Sequence, residues 1–196
     1  VKDIQKKRQP SARITRKREQ ARREILAAAE TVLANGGIEA VTLASVADQL
    51  GMTKQALYHY FSSKEALVRG LVTTLLDHEI EVLTAAVTAA KSEDKVLGTL
   101  IRAFYRHYID KLDGFRAVYC RVQLYAPSES VLDDVTLRDE VHPRTRRLFD
   151  ILEEMMAGSS ATRARRRAAR QRAYTAWTSA LGLMTIIGVA DATSDP

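Results

Sequence analysis

Residues 42–67 read TLASVADQLGMTKQALYHYFSSKEAL, and this stretch decides the fold. Thr42 is a good N-cap, and Leu43, Val46, Ala47 and Leu50 recur at the spacing of one buried helix face. Gly51 follows, where a helix needs a residue tolerant of positive φ to close its last turn. Thr53 can cap a second, short helix with Ala56, Leu57 and Tyr60 on one side and Lys54, Gln55, Tyr58 and His59 on the other. Ser62 and Glu65 have capping-box spacing, so a third helix is expected from about Ser63. A short helix braced in this way can enter a major groove with its N-terminal side chains on base edges. Lys54 and Gln55 then take base-reading positions, while Tyr58, His59 and Lys64 suit phosphate and sugar contacts. The competing reading is a plain helical hairpin with a solvated polar face.

The rest of the chain is consistent with an all-α protein. Its 196 residues are ample for a buried core, and charged and hydrophobic fractions of 28% and 46% are ordinary for a globular protein. Four prolines and long runs of Ala, Leu, Arg and Glu favour helix throughout. One cysteine, Cys120, rules out an intramolecular disulfide and sits among apolar residues, as a core residue would. No uninterrupted apolar run reaches the ~18 residues of a membrane span, and the basic start lacks a signal core, so no membrane partner and a cytoplasmic location are expected. A first residue that is Val, not Met, suggests that some N-terminal residues precede it.

The net charge of +6 is uneven: residues 1–23 carry +8, residues 24–70 carry −2, and the remainder balances. A basic, flexible arm over residues 1–15 is expected, with Lys6, Lys7, Arg8, Arg13 and, just beyond, Arg16, Lys17 and Arg18 as candidates for following phosphates or entering the minor groove. The alternative is a solubilising tail. The first helix should start within residues 15–22 and end at Gly36-Gly37, burying Ile25, Ala28, Ala29, Val32 and Leu33. Residues 16–70 then form the helix-turn-helix domain, and residues 71–196 a larger helical domain.

In that second domain, helical patterns cover about 63–91, 92–112 (broken by Asp113-Gly114), 115–124, 142–157 and 161–189, with residues 126–142 read as a loop holding at most one helical turn. The 63–91 helix, shared by both domains, would be the natural signal path. The final helix opens with an arginine-rich run and then becomes apolar nearly all round. That composition calls for a partner surface, most simply a twofold homodimer, with Trp177, Leu181, Met184 and Ile187 as candidate interface residues. The arginines are either a second nucleic-acid patch or a solvated face paired with acids such as Glu153 and Glu154.

Thr42, Val46-Ala47, Gly51, Thr53-Lys54, Leu57-Tyr58-His59-Tyr60-Phe61 and Lys64-Glu65-Ala66-Leu67 together resemble the N-terminal domain of TetR-family transcriptional regulators, over roughly residues 24–72. The resemblance implies double-stranded DNA as partner, with Thr42, Thr53, Lys54, Gln55, Tyr58, His59 and Lys64 as contact positions. Gln55 stands where the family often has glycine or proline, so it can add a base contact. The segment Ala176-Trp177-x-x-Ala180-Leu181-Gly182-Leu183 resembles the penultimate, dimerising helix of the family, which leaves the usual further helix unaccounted for. The resemblance also implies a small-molecule effector among the middle helices, for which Phe104, Tyr105, Tyr108, Phe115, Tyr119, Gln123 and Trp177 are the candidate lining. No glycine-rich phosphate loop, nucleophile elbow or zinc spacing occurs, so no catalytic residue, cofactor or metal is assigned. His78 with Glu81 and His107 with Asp110 are helical pairs too small for a metal site. The leading expectation is a homodimeric, ligand-released repressor on a palindromic operator. An all-helical carrier or enzyme, or a constitutive DNA binder, are the other readings.

Overall fold

A computed structural model describes residues 12–90, 92–120 and 134–193, without the side chains of Cys120 and Asp134. Lys6, Lys7, Arg8 and Gln123 therefore lie outside the described residues. The chain divides into two compact units, Val1–Leu67 and Val68–Pro196. Among the described residues every regular element is helical.

In the first unit, α1 (Ala12–Ala40) is longer than its apolar stripe suggested. Gly37, at φ 70°, kinks it near the expected stop, and a final helical stretch continues to Ala40. α2 (Leu43–Gln49) begins at a two-way cap: Ser45 N donates to Thr42 Oγ1 at 3.0 Å, and Thr42 N donates to Ser45 Oγ at 3.0 Å. Ser45 Oγ also reaches the Ala40 carbonyl at 2.7 Å, tying α2 to the end of α1. Gly51, at φ 62°, turns the chain, and Met52 N donates back to the Ala47 carbonyl. α3 (Lys54–Tyr58) is capped by Thr53, whose Oγ1 accepts from Ala56 N at 3.2 Å. The next cap is Ser63, one residue later than the spacing suggested: its Oγ accepts from Ala66 N, and α4 (Lys64–Thr88) starts behind it. Ile25, Ala29, Leu33, Val41, Val46, Leu57, Phe61 and Leu67 are all but fully buried.

α4 runs across the boundary at Leu67/Val68 without interruption. The second unit adds α5 (Glu93–Tyr108) and α6 (Leu112–Phe115), the latter continuing as a π-helical turn, Arg116–Cys120. The break between α5 and α6 falls at residues 109–111, so Gly114 lies inside a helix instead of ending one. A helical turn Asp134–Thr136 and a π-helical turn Leu137–Val141 lead into α7 (His142–Ala157), which Gly158 closes at φ 81°. α8 is Arg163–Thr193.

Phe149 stacks on Tyr174 and Arg170 reaches Asp150 and Glu153, so α7 and α8 run antiparallel. Phe104 against Trp177 and Glu93 against Arg165 set α5 parallel to α8. An 18-residue window of α8, at mean hydropathy 1.3, is apolar enough to span a membrane by length and composition, contrary to the run-based expectation. Its buried stripe (Ala169, Ala173, Ala176, Trp177, Ala180, Met184) is occupied by packing within this unit.

Candidate functional site

Hydrogen bonding at its N-terminal end leaves α3 with a free outer face. Thr53 spends its hydroxyl on the cap, Leu57 is buried, and Lys54, Gln55, Tyr58 and His59 are exposed together. Lys54 Nζ sits 5.9 Å from the Tyr58 ring centroid, which aligns an ammonium and a phenol on one face. Thr42 is half-buried with its hydroxyl engaged in the α2 cap. Lys64 lies 3.8 Å from Glu39, so its charge is shared with an acid from the end of α1.

Two arginines of α1 brace the C-terminal end of α3. Arg18 donates to the His59 carbonyl at 3.2 Å, and Arg22 donates to the Tyr60 carbonyl while its guanidinium lies 4.2 Å over the Phe61 ring. These carbonyls are among those a helix C-terminus leaves unpaired, so the arginines replace the missing intrahelical donors. Arg18, expected to follow phosphate, therefore has a bracing role. The bracing role of Arg22 was not visible in the sequence, because its partners are 38 and 39 residues away. Beside the brace, Ile14, Lys17, Arg18, His59 and Tyr60 line an open groove of about 550 Å³. Arg13, Arg16 and Lys17 are exposed, which continues positive charge from α3 along the start of α1.

The aromatic residues expected to line a pocket mostly pack on one another. Phe104 has its ring centroid 5.0 Å from Trp177, 5.1 Å from Tyr108, 5.7 Å from Tyr119 and 6.3 Å from Phe115. Tyr105 is 37% exposed and stands outside this cluster. At its centre is a residue sequence reasoning missed: Glu79 of α4, 0% exposed, accepts from the hydroxyls of Tyr108 and Tyr119 (2.7 Å for the latter). Burial pushes its carboxyl from 4.5 up to about 7, with the two tyrosine hydrogen bonds opposing the rise. Burial and the neighbouring carboxylate push both tyrosines well above their usual range. The signal was present in the pattern: Leu76, Glu79, Ile80, Leu83 and Val87 share one buried stripe, and a carboxylate in such a stripe needs a partner.

His78 and His107 do come together, with ring centroids 5.4 Å apart, rather than each pairing with the acid on its own helix. Burial, and then the charge of His78, hold His107 down to about 4. Among the described residues no group of three potential metal ligands forms.

The final helix departs from expectation in which side faces out. Met184 is fully buried and Trp177 is 9% exposed, so both belong to the unit's own core and not to an outer interface. Leu181 and Ile187 are half-buried. Tyr174, Leu183, Ile186 and Val189 are the exposed apolar residues of α8, Ile186 the most open at 70%. The arginine run is held by acids: Arg165 by Glu93, Arg166 by Glu153, and Arg170 by Asp150 and Glu153.

A short capped helix with an exposed cationic and amide end, braced from behind, defines a helix-turn-helix DNA-binding protein. Residues 25–71 match the family model described as "Bacterial regulatory proteins, tetR family". The chain is 28% identical over 144 residues to the transcriptional repressor KstR2 of Mycolicibacterium smegmatis, covering 71% of this chain and 66% of that protein. It is 31% identical over 98 residues to KstR2 of Rhodococcus jostii, covering 50% of this chain and 48% of that protein. The matches thus span about half to two thirds of the length of these relatives. A TetR/AcrR-family regulator from Thermobifida fusca has the same fold, with a TM-score of 0.58 at 22% identity over 87% of this chain and 96% of that one. Residues 25–71 thus carry the DNA-binding domain of the TetR family of bacterial transcriptional regulators, and the relatives matched are regulators rather than enzymes.

Proposed function

We propose that the chain is a cytoplasmic, homodimeric repressor that binds a palindromic operator and is released by a small-molecule effector held in its second unit. The observation that carries the reading is the exposed pair Lys54-Gln55 at the capped end of α3, with Tyr58 and His59 one turn on. Gln pairs with the adenine edge and Lys with guanine, while Lys17 in the groove beside α3 and the exposed Arg13 and Arg16 of α1 suit phosphates. The repressor assignment takes its support from the KstR2 relatives.

A twofold partner is supported by two outward faces. α8 exposes Leu183, Ile186 and Val189. α7 exposes His142, Arg146 and Arg147 in its first half and Asp150 and Glu154 in its second, and an antiparallel copy of that helix would meet it with opposite charge. Because α7 and α8 pack as a pair, two copies would make a four-helix interface with no further helix required. Each dimer would then place two copies of α3 in successive major grooves about 34–36 Å apart. An effector preferring another separation would weaken DNA binding by its differential affinity for the two states.

The test is selection from a random duplex pool at about 0.15 M salt, where the salt-dependent phosphate contribution is moderate. The expected result is an inverted repeat, whose preferred bases change in Lys54→Ala and Gln55→Ala. Recovery of unselected sequence would refute the reading.

A further inference from the structure

Among the described residues no Lys, Arg or His forms an ion pair with Glu79, and its carboxyl oxygens are met only by the hydroxyls of Tyr108 and Tyr119. Neutral donors satisfy hydrogen-bonding capacity but do not balance charge. The surroundings reinforce the sign: Phe104, Tyr108, Phe115, Tyr119 and Trp177 form one continuous ring cluster, and aromatic faces attract cations and repel anions.

The element holding one of the two hydroxyls is also unusual. Tyr119 lies on the π-helical turn Arg116–Cys120, a geometry frequent at functional sites. Arg116, at the start of that turn, is tied to the end of α8 through the Gly188 carbonyl at 2.8 Å and Asp191 at 2.7 Å.

We infer that the Glu79–Tyr108–Tyr119 centre is a binding site for a cationic apolar small molecule, an aryl or alkyl ammonium. Its charge takes the place of a tyrosine hydroxyl on Glu79, and its hydrocarbon part lies against Phe104, Phe115 and Trp177. The inference rests on the effector-binding reading of the second unit and gives that effector a chemical class. The same device excludes carboxylates and phosphates of similar size, because a buried acid and the ring faces both oppose them.

The experiment compares phenyltrimethylammonium with its uncharged carbon isostere, tert-butylbenzene, and with benzoate, on the full chain. Binding is read from emission of Trp177, the only tryptophan, and from calorimetry. The cation should bind about tenfold or more tighter than the isostere, benzoate should not bind, and Glu79→Gln should remove the preference. Tyr119→Phe, which removes a donor but leaves the acid, should keep it.

A measurement on the unaltered protein supplies a second check. Cation affinity should rise from about pH 6 to about pH 8 as Glu79 ionises, while that of the isostere stays flat. Among the described residues the groups beside Glu79 are Tyr108 from α5 and Tyr119 from the π turn, both neutral there, with His107 beyond Tyr108 and His78 next to Glu79 on α4. Equal binding of the isostere, no binding of the cation, or a preference unaffected by Glu79→Gln would overturn the inference. Effector action is read separately, by release of a selected DNA duplex. Glu79-dependent cation binding that leaves the DNA complex intact would keep the site and refute its role as an effector site.

Discussion

Replacing Glu79 by Gln should stabilise the protein at neutral pH and leave it unchanged relative to the parent in acid. Folding raises the carboxyl from 4.5 to about 7 because it is fully buried, its hydrogen bonds to Tyr108 and Tyr119 only partly offsetting the loss of water. Between those two values the folded state holds a proton that the unfolded state has released. Stability therefore falls as pH rises through this window and is level above it, a loss of about 3 kcal/mol when the difference is fully expressed. The amide of Gln has the shape of the acid and can both donate to and accept from the tyrosine hydroxyls, but it does not titrate.

The assay is urea unfolding followed by Trp177 emission, which reports on the second unit because Trp177 packs 5.0 Å from Phe104. The stability difference between variant and parent should grow by about 3 kcal/mol in favour of the variant from about pH 4 to about pH 8. Any offset at the acid end measures the amide's own hydrogen bonding and is subtracted. His107, held down to about 4, acts with the opposite sign, losing stability as pH falls below its ordinary value of 6.5. It is present in both proteins, so it flattens the parent's profile, gives the variant's a rise with pH, and cancels in the difference. A difference independent of pH, or one favouring the parent as pH rises, would refute the buried, unbalanced acid.

Three further outcomes follow from the geometry. Arg22→Ala removes the donor to the Tyr60 carbonyl and the cation over Phe61, so it should destabilise the first unit by about 1–2 kcal/mol and weaken DNA binding, with the preferred sequence unchanged in a selection experiment. Lys54→Ala and Gln55→Ala should each cost about 1–3 kcal/mol at one base position in competition binding, with the melting temperature unmoved because both side chains are exposed. Ile186→Asp, at a position 70% exposed, should turn the proposed dimer into folded monomers by sedimentation, whereas Met184→Asp, at a fully buried position, should unfold the second unit, seen as loss of helical circular dichroism.

The helix-turn-helix was legible in the sequence because its instructions are local. Thr42, Gly51 and Thr53 act within a few residues of themselves, through caps and one left-handed turn, and Leu57 and Phe61 follow a helical period. The same locality explains the small errors. Ser62 and Ser63 are adjacent possible caps, and Gly37 can kink a helix as well as end one. Other features depend on which distant residues the fold brings together. Arg18 looks like a phosphate-tracking cation, and Arg22 carries no assignment at all, until their guanidiniums are seen on carbonyls of residues 59 and 60. Glu79 meets Tyr108 and Tyr119 across 29 and 40 residues, a pairing no local pattern encodes. In the last helix, apolar residues on nearly every side leave periodicity nothing to choose between. Trp177 and Met184 turn inward, and Ile186 and Val189 outward, because α5 and α7 occupy one side of α8 and leave the other exposed.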